Sequence, residues 1–340
     1  MAKKRKRPFR KAFDAAVGAC GYEMQRKPPF LPDDVDCSNS YWQKWIAQAP
    51  LEFANIYQKN RAFQRSVSEW ITEEAHASSL WSYGVRQGPE ALKAVEQGIT
   101  YTDLLVFLSR FLEKVSYLEI GVSAGKNFMQ VCRQLEHAAL CGVDIEQINP
   151  VIEATLSDPR VVWSSERTYP FTTNKGTVHD KRFTLKRGLF EENGNTVQYL
   201  SGDKFHGDLW EALAGTQFNL VFSDACHIPD SIETEMDFLL KYDLVDRNEF
   251  IMFWDDLRPK MIPAFLRNVA KLRDLFKAGR PHAAVYEMHG TYGGDPARHG
   301  LHTIGAFFHR EDLRPRSADA APLGDSSAAS ARGAAAVAER

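Results

Sequence analysis

Residues 117–128 read YLEIGVSAGKNF. A short apolar run closes at Ile120, and glycines follow at 121 and 125. Glycine lets the backbone turn sharply and lets a ligand approach the N-terminus of the helix that follows. Strand, glycine turn and helix in this order open a doubly wound α/β sheet. Six more apolar runs of strand length come later, at Ala139–Val143, Val197–Leu200, Phe218–Ser223, Phe250–Trp254, Ala283–Met288 and Thr303–Phe308. Their length and their Gly, Asp and Pro boundaries predict buried strands of a largely parallel, seven-stranded, Rossmann-like sheet. Ligands of such sheets bind beyond the carboxyl ends of the strands, so the residues directly after each run are the candidates for chemistry.

The flanks are read from composition. The chain has 340 residues, 44% hydrophobic and 25% charged, with a net charge of −2, which suits a soluble globular protein without whole-chain attraction to nucleic acid. No stretch approaches the roughly 18 apolar residues of a membrane helix, so no membrane partner is expected. The opening MAKKRKRPFRK has the charge of a signal peptide but no apolar stretch behind it, and the expected location is cytoplasmic. Its basic residues read as a solvated tail, or as a contact for an anionic surface. Cys20, Cys37, Cys132, Cys141 and Cys226 show neither CxxC nor zinc spacing, as expected of reduced thiols. Four segments follow: a basic, partly disordered stretch at 1–39, helices over 40–99, the sheet domain over 100–312, and a tail at 313–340. The tail holds no aromatic residue and is expected to be disordered.

In the helical segment, Pro50 suits a first turn, and Phe53, Ile56, Tyr57, Phe63, Val67, Trp70 and Ile71 recur at helical spacing. Thr100 or Thr102 caps a second helix with an apolar face of Leu104, Leu105, Leu108, Phe111 and Leu112. These stripes read as core, and the aromatic-rich helices also offer a surface for a homo-oligomer.

The spacing Glu119-x-Gly121-x-x-x-Gly125 is not a dinucleotide fingerprint, because Ser123 and Lys126 stand where its second and third glycines belong. It resembles motif I of the class I S-adenosylmethionine (SAM) methyltransferases. Asp144 ends the second run at the offset where a carboxylate accepts hydrogen bonds from ribose hydroxyls. Asp203, after the third run, matches the family's position near the adenine amino group. The resemblance covers about residues 100–310. It implies a SAM cofactor held by Glu119, Gly121, Ser123, Gly125, Asp144 and Asp203, and an antiparallel last strand, for which the loop around Gly293–Gly294 leaves room.

One stretch departs from that pattern. Residues 151–196 are longer than the second-to-third connection needs, and their aromatic residues suggest a lid over the pocket. Within them Arg160–Trp163 competes for the third strand; Val197–Leu200 is preferred because Ser201-Gly202-Asp203 follows it.

Asp224-Ala-Cys-His227 follows the fourth run and Asp255-Asp256 the fifth, so three carboxylates and an imidazole converge at one sheet edge. Hard oxygen ligands suit Mg²⁺. This arrangement is similar to the metal-dependent O-methyltransferases of sugar and macrolide tailoring and to the cephalosporin-hydroxylase-type family. The resemblance implies metal ligands Asp224, Asp255 and Asp256, with Asp224 and His227 catalytic and His227 taking the acceptor's proton. Where that family reads DGxHxY, Ala225 and Pro229 stand here. The plainer reading makes the Asp pair a helix cap and His227 a loop residue. His289, Tyr292 and His299 flank the sixth strand as further pocket candidates.

The function expected is SAM-dependent O-methylation of a small, sugar-like or polyhydroxylated acceptor, with Mg²⁺ assisting. The alternatives are a metal-independent methyltransferase, a non-catalytic partner-binding protein of the same fold, and a nicotinamide-dependent oxidoreductase.

Overall fold

The computed structural model describes residues 31–72 and 98–309, apart from 33, 38, 39, 155, 157–159, 164–170, 173–177, 180–182, 192, 278–280 and 291–300. The strands are β1 (Val35–Asp36), β2 (Ser116–Ile120), β3 (Ala139–Asp144), β4 (Arg160–Trp163), β5 (Phe171–Thr172), β6 (Val178–His179), β7 (Phe183–Phe190), β8 (Asn195–Gly202), β9 (Leu220–Ser223), β10 (Phe250–Trp254), β11 (His282–His289) and β12 (Leu301–His309). The helices are α1 (Ser40–Ile46), α2 (Pro50–Thr72), α3 (Tyr101–Ser109), α4 (Lys126–Gln134), α5 (Pro150–Ala154), α6 (Gly207–Glu211), α7 (Pro229–Lys241) and α8 (Ile262–Leu275).

All seven expected runs form strands. They lie side by side in the order β11, β12, β10, β9, β2, β3, β8. Neighbours from β10 to β8 are parallel, and β12 runs antiparallel to both β10 and β11. The chain winds outward from β2 through β3 and β8, then returns to β9 on the other side of β2. The winding therefore reverses between β2 and β9, and a crevice outside the carboxyl ends at such a reversal is the usual ligand position.

The sheet is wider than expected, with ten strands rather than seven. β7 pairs antiparallel with β8, and β4 with β7. β4 and β7 thus extend the sheet edge-on and form no lid, while β5 and β6 pair only with each other. The physical reason is visible in β7. Phe183 and Leu185 are buried, while Arg187 and Leu189 further along are exposed, as in a strand covered only over part of its length. Val197–Leu200 is indeed the centre of the third parallel strand, since β8 pairs with β3 from Thr196 opposite Ala139 to Ser201 opposite Asp144. Arg160–Trp163 forms the outermost strand. At the other edge β1 joins β11 in parallel, and Leu31 and Val35 are buried, so residues 31, 32 and 34–37 belong to the folded body. The tail expected at 313–340 lies outside the described residues, as does most of 1–39.

Both sheet faces are covered because alternate strand residues point to opposite sides. Tyr117, Tyr199, Phe222, Phe253 and Phe308 pack with α1 to α5 on one face. Leu118, Leu200, Val221, Met252 and Trp254 pack with α6 to α8 on the other. The N-terminal aromatic stripe faces inward. Trp45 meets Phe308 edge-on at 4.5 Å between ring centroids, and Phe53 meets Phe107 at 5.3 Å.

Thr100 is the cap of α3. Its hydroxyl accepts the Asp103 N–H while the Asp103 carboxylate accepts the Thr100 N–H, a reciprocal pair that satisfies two free donors at once. Asn60 and Arg61 of α2 also donate to Asp103, fixing α2 against the start of α3. Thr100→Ala is expected to cost about 0.5–2 kcal/mol in denaturant unfolding. A variant as stable as wild type would show that Arg61 and Asn60 hold the helix start without the hydroxyl.

Candidate functional site

The site is built around the glycine turn. Gly121 and Gly125 adopt φ of 90° and 86°, and Ser123 between them adopts 54°. A left-handed non-glycine residue is uncommon and concentrates where a loop shape is functional. The turn is locked to β3 by Ser123, whose N–H donates to Asp144 Oδ2 at 2.7 Å. The Glu146 N–H donates to Asp144 Oδ1 at 2.9 Å. Burial pushes the Asp144 carboxyl up from its ordinary value, opposed by backbone donors at Glu146, Ser123 and Val122. On the other side, a Cβ on Gly121 would fall 2.5 Å from both the Ala225 Cα and the Asp224 carbonyl oxygen. The loops after β2 and β9 therefore touch across the point of reversal, and only glycine permits it.

Glu119, which the resemblance places at the cofactor, also has a structural part. It is fully buried at the end of β2, and its Oε2 accepts from Tyr117 Oη at 2.6 Å and Asn127 Nδ2 at 2.8 Å. Its carboxyl is tied inward, joining β2 to α4, and burial pushes it up to about 8. Asp203 stands at the carboxyl end of β8, where its Oδ1 accepts the Phe205 N–H at 3.0 Å. The neighbouring Lys204 turns into the core and pairs with the buried Glu235.

The three carboxylates expected to hold a metal are near one another but differently engaged. Both oxygens of the buried Asp255 lie 2.9 Å from Nδ1 of His302 on β12. Asp224 interacts with Asp255; burial and that neighbouring carboxylate push Asp224 well up. Burial also opposes ionisation of Asp255, yet His302, with His227 and Asp224 adding, holds it below its ordinary value. Asp256, at φ 52°, accepts from Arg258 Nη2 at 2.9 Å. Among the described residues no group of three or more His, Cys, Asp or Glu side chains is arranged to hold a metal ion. Asp255 is engaged by His302 and one oxygen of Asp256 by Arg258, and as placed the three carboxylates, with Asp224, do not form the Mg²⁺ shell that the resemblance implies.

His227 lies between two of these groups, with Nε2 3.7 Å from Asp224 and Nδ1 4.0 Å from Asp256. Both separations are ion-pair distances, too long for hydrogen bonds. Neither Asp255 nor Asp256 caps a helix, since α8 starts after Met261. Of the other candidates, His289 packs its ring where a Cβ on Gly98 would be, 2.2 Å from its Cδ2. Tyr292 and His299 lie outside the described residues.

Two residues escaped the sequence reading. Lys126 begins α4 fully buried, and that burial, with the charge of Arg61 adding, pushes its ammonium down to about 7. Its position after Gly125 was the one available signal. His302 sits inside an apolar strand 47 residues from Asp255, and nothing local marks it.

No family model matches the chain, and no curated protein matches it. Solved structures do. The O-methyltransferase TomG from Streptomyces achromogenes, in complex with SAM, is 15% identical, covering 73% of this chain and 98% of that one with a TM-score of 0.39. The O-methyltransferase from Bacillus cereus, in complex with SAH, is 14% identical, covering 72% and 97% with a TM-score of 0.37. The Podospora anserina methyltransferase PaMTH1, bound to SAH, is 12% identical, covering 91% and 100% with a TM-score of 0.33. At TM-scores this low the likeness carries no weight on activity, which is argued from the chain's own residues.

Proposed function

We propose that the chain is a SAM-dependent methyltransferase that methylates an oxygen of a small, sugar-like or polyhydroxylated acceptor. The observation that carries this reading is the contact of the Gly121 turn with the Asp224–Ala225 loop at the point where the sheet's winding reverses, with Asp144 hydrogen-bonded to the same turn. These groups suit a nucleoside. The turn supplies exposed backbone at its glycines, Asp144 supplies acceptors for ribose hydroxyls, and Asp203 stands on the next strand out, on the side assigned to the base. Ser123 and Lys126 in place of two fingerprint glycines disfavour a dinucleotide.

When bound, SAM supplies an electrophilic methyl group. The chain's part is to position it and to accept the proton of the attacking hydroxyl. His227, at the edge of the same crevice and flanked by Asp224 and Asp256, is one group able to take that proton. Ile228, next to it in sequence, and Phe205, in the loop after β8, are exposed apolar side chains. We place the protein in the cytoplasm, in keeping with the described residues, in which no helix is long and apolar enough to cross a membrane.

Asp144→Asn keeps the side chain's shape and removes its charge. It is expected to weaken SAM binding by about 1–3 kcal/mol, the scale of a lost charge-assisted hydrogen bond. Calorimetry giving wild-type affinity would take Asp144 out of the binding site.

A further inference from the structure

The disagreement between the expected metal shell and the observed contacts has a chemical meaning. A carboxylate can serve a cation or an imidazole with the same lone pairs. Here Asp255 presents both oxygens to His302 Nδ1 at an equal 2.9 Å. That contact assigns the Nδ1 proton to the Asp255 side and makes Nε2 the acceptor of the neutral ring. Tyr101 meets the ring edge-on at 6.2 Å between centroids. Gly290 leaves room beside Nε2, since a Cβ there would fall 2.9 Å from it. His302 is a quarter exposed, whereas Asp255 is 3% exposed. The imidazole is thus fixed at Nδ1 and partly open to solvent.

We propose that Asp255 serves His302 rather than a metal ion, and that His302 Nε2 is the proton acceptor of a metal-independent active site. The chemistry rests on the methyltransferase reading above. The acceptor's O–H bond breaks, its proton forms an N–H bond at Nε2, and the freed electron pair forms the new O–C bond to the methyl carbon as the carbon–sulfur bond breaks with its pair going to sulfur. Asp255 stabilises the resulting imidazolium through Nδ1–H, and the proton then leaves to water. Asp224 contributes by facing Asp255. Compared with His227, whose nearest carboxylate is 3.7 Å away, His302 has the tighter orienting contact.

Two measurements on the full chain test this without knowledge of the acceptor. In nitrogen-15 spectra of labelled histidine, one ring is expected to be Nδ1-protonated with a hydrogen-bonded proton, and that signal is expected to vanish in His302→Asn and to move in Asp255→Asn. Titration with Mn²⁺, followed by its paramagnetic resonance with SAM present, is expected to show no site that depends on Asp255. Stoichiometric Mn²⁺ binding lost in Asp255→Asn, or a wild-type spectrum lacking the Nδ1-bonded ring, overturns the proposal. Mn²⁺ binding that survives Asp255→Asn lies elsewhere and supports it. With an acceptor in hand, EDTA is expected to leave turnover unchanged, while His302→Asn slows it about 10²–10⁴-fold at unchanged SAM affinity. The two readings fail separately. Wild-type protein that ignores SAM rejects the methyltransferase, while the histidine spectrum and Mn²⁺ titration judge the His302–Asp255 pair by themselves.

Discussion

Gly121→Val is expected to abolish SAM binding. At φ 90° a β-branched side chain is strained by about 1–3 kcal/mol before any contact is counted. Its Cβ would also meet three backbone atoms of Asp224 and Ala225 at 2.5–2.6 Å. Backbone cannot rotate aside as a side-chain tip can. The loop after β9 would have to move, carrying Asp224 and His227 with it. Gly125→Val tests a different kind of obstruction, since the nearest atom there is the Ile152 Cδ1, at the end of a side chain, although its φ of 86° is strained as well. Circular dichroism and calorimetry on the two variants separate loss of fold from loss of site. A folded Gly121→Val that binds SAM as wild type does would remove the glycine turn from the binding site.

The second large effect concerns pH. Glu119 is buried and held near 8, against an ordinary value of 4.5. Below about pH 4.5 the folded and unfolded chains both carry its proton, and the group does not alter stability. Between there and about 8 only the folded chain holds the proton, so stability falls as pH rises across that window, by on the order of a few kcal/mol in all. Glutamine imitates the neutral acid and can still accept from Tyr117 and Asn127. Glu119→Gln is therefore expected to match wild type near pH 4.5 and to exceed it increasingly up to pH 8. Denaturant unfolding at a series of pH values checks this, and two curves that stay parallel would mean that Glu119 is ionised in the folded state.

The parts of the fold carried by local pattern were legible. Runs such as Ser116–Ile120 and Phe250–Trp254 match their strands residue for residue, because a strand buried on both faces is mostly apolar. The antiparallel last strand followed from the resemblance and from a loop long enough to reverse. What stayed hidden is pairing between distant segments. The length and aromatic residues of 151–196 suggest a lid, and nothing in the residues of β7 themselves says that β8 is its neighbour. The site shows the same division. Gly121, Ser123, Asp144 and Asp224 were visible as residues following strands. Where a carboxylate points was not: Glu119 turns to Tyr117, and Asp255 to a histidine in another strand. The carboxylate cluster alone suggested magnesium, and the partner that changes its meaning, His302, stands just before the last apolar run, far from the cluster in sequence.

Titration of the wild-type protein with SAM, S-adenosylhomocysteine and NAD in parallel tests the central claim most directly. Saturable binding of the two adenosyl compounds, lost in Gly121→Val and absent for NAD, is the expected result. Binding of NAD with none of SAM would contradict it and turn the same crevice into a dinucleotide site.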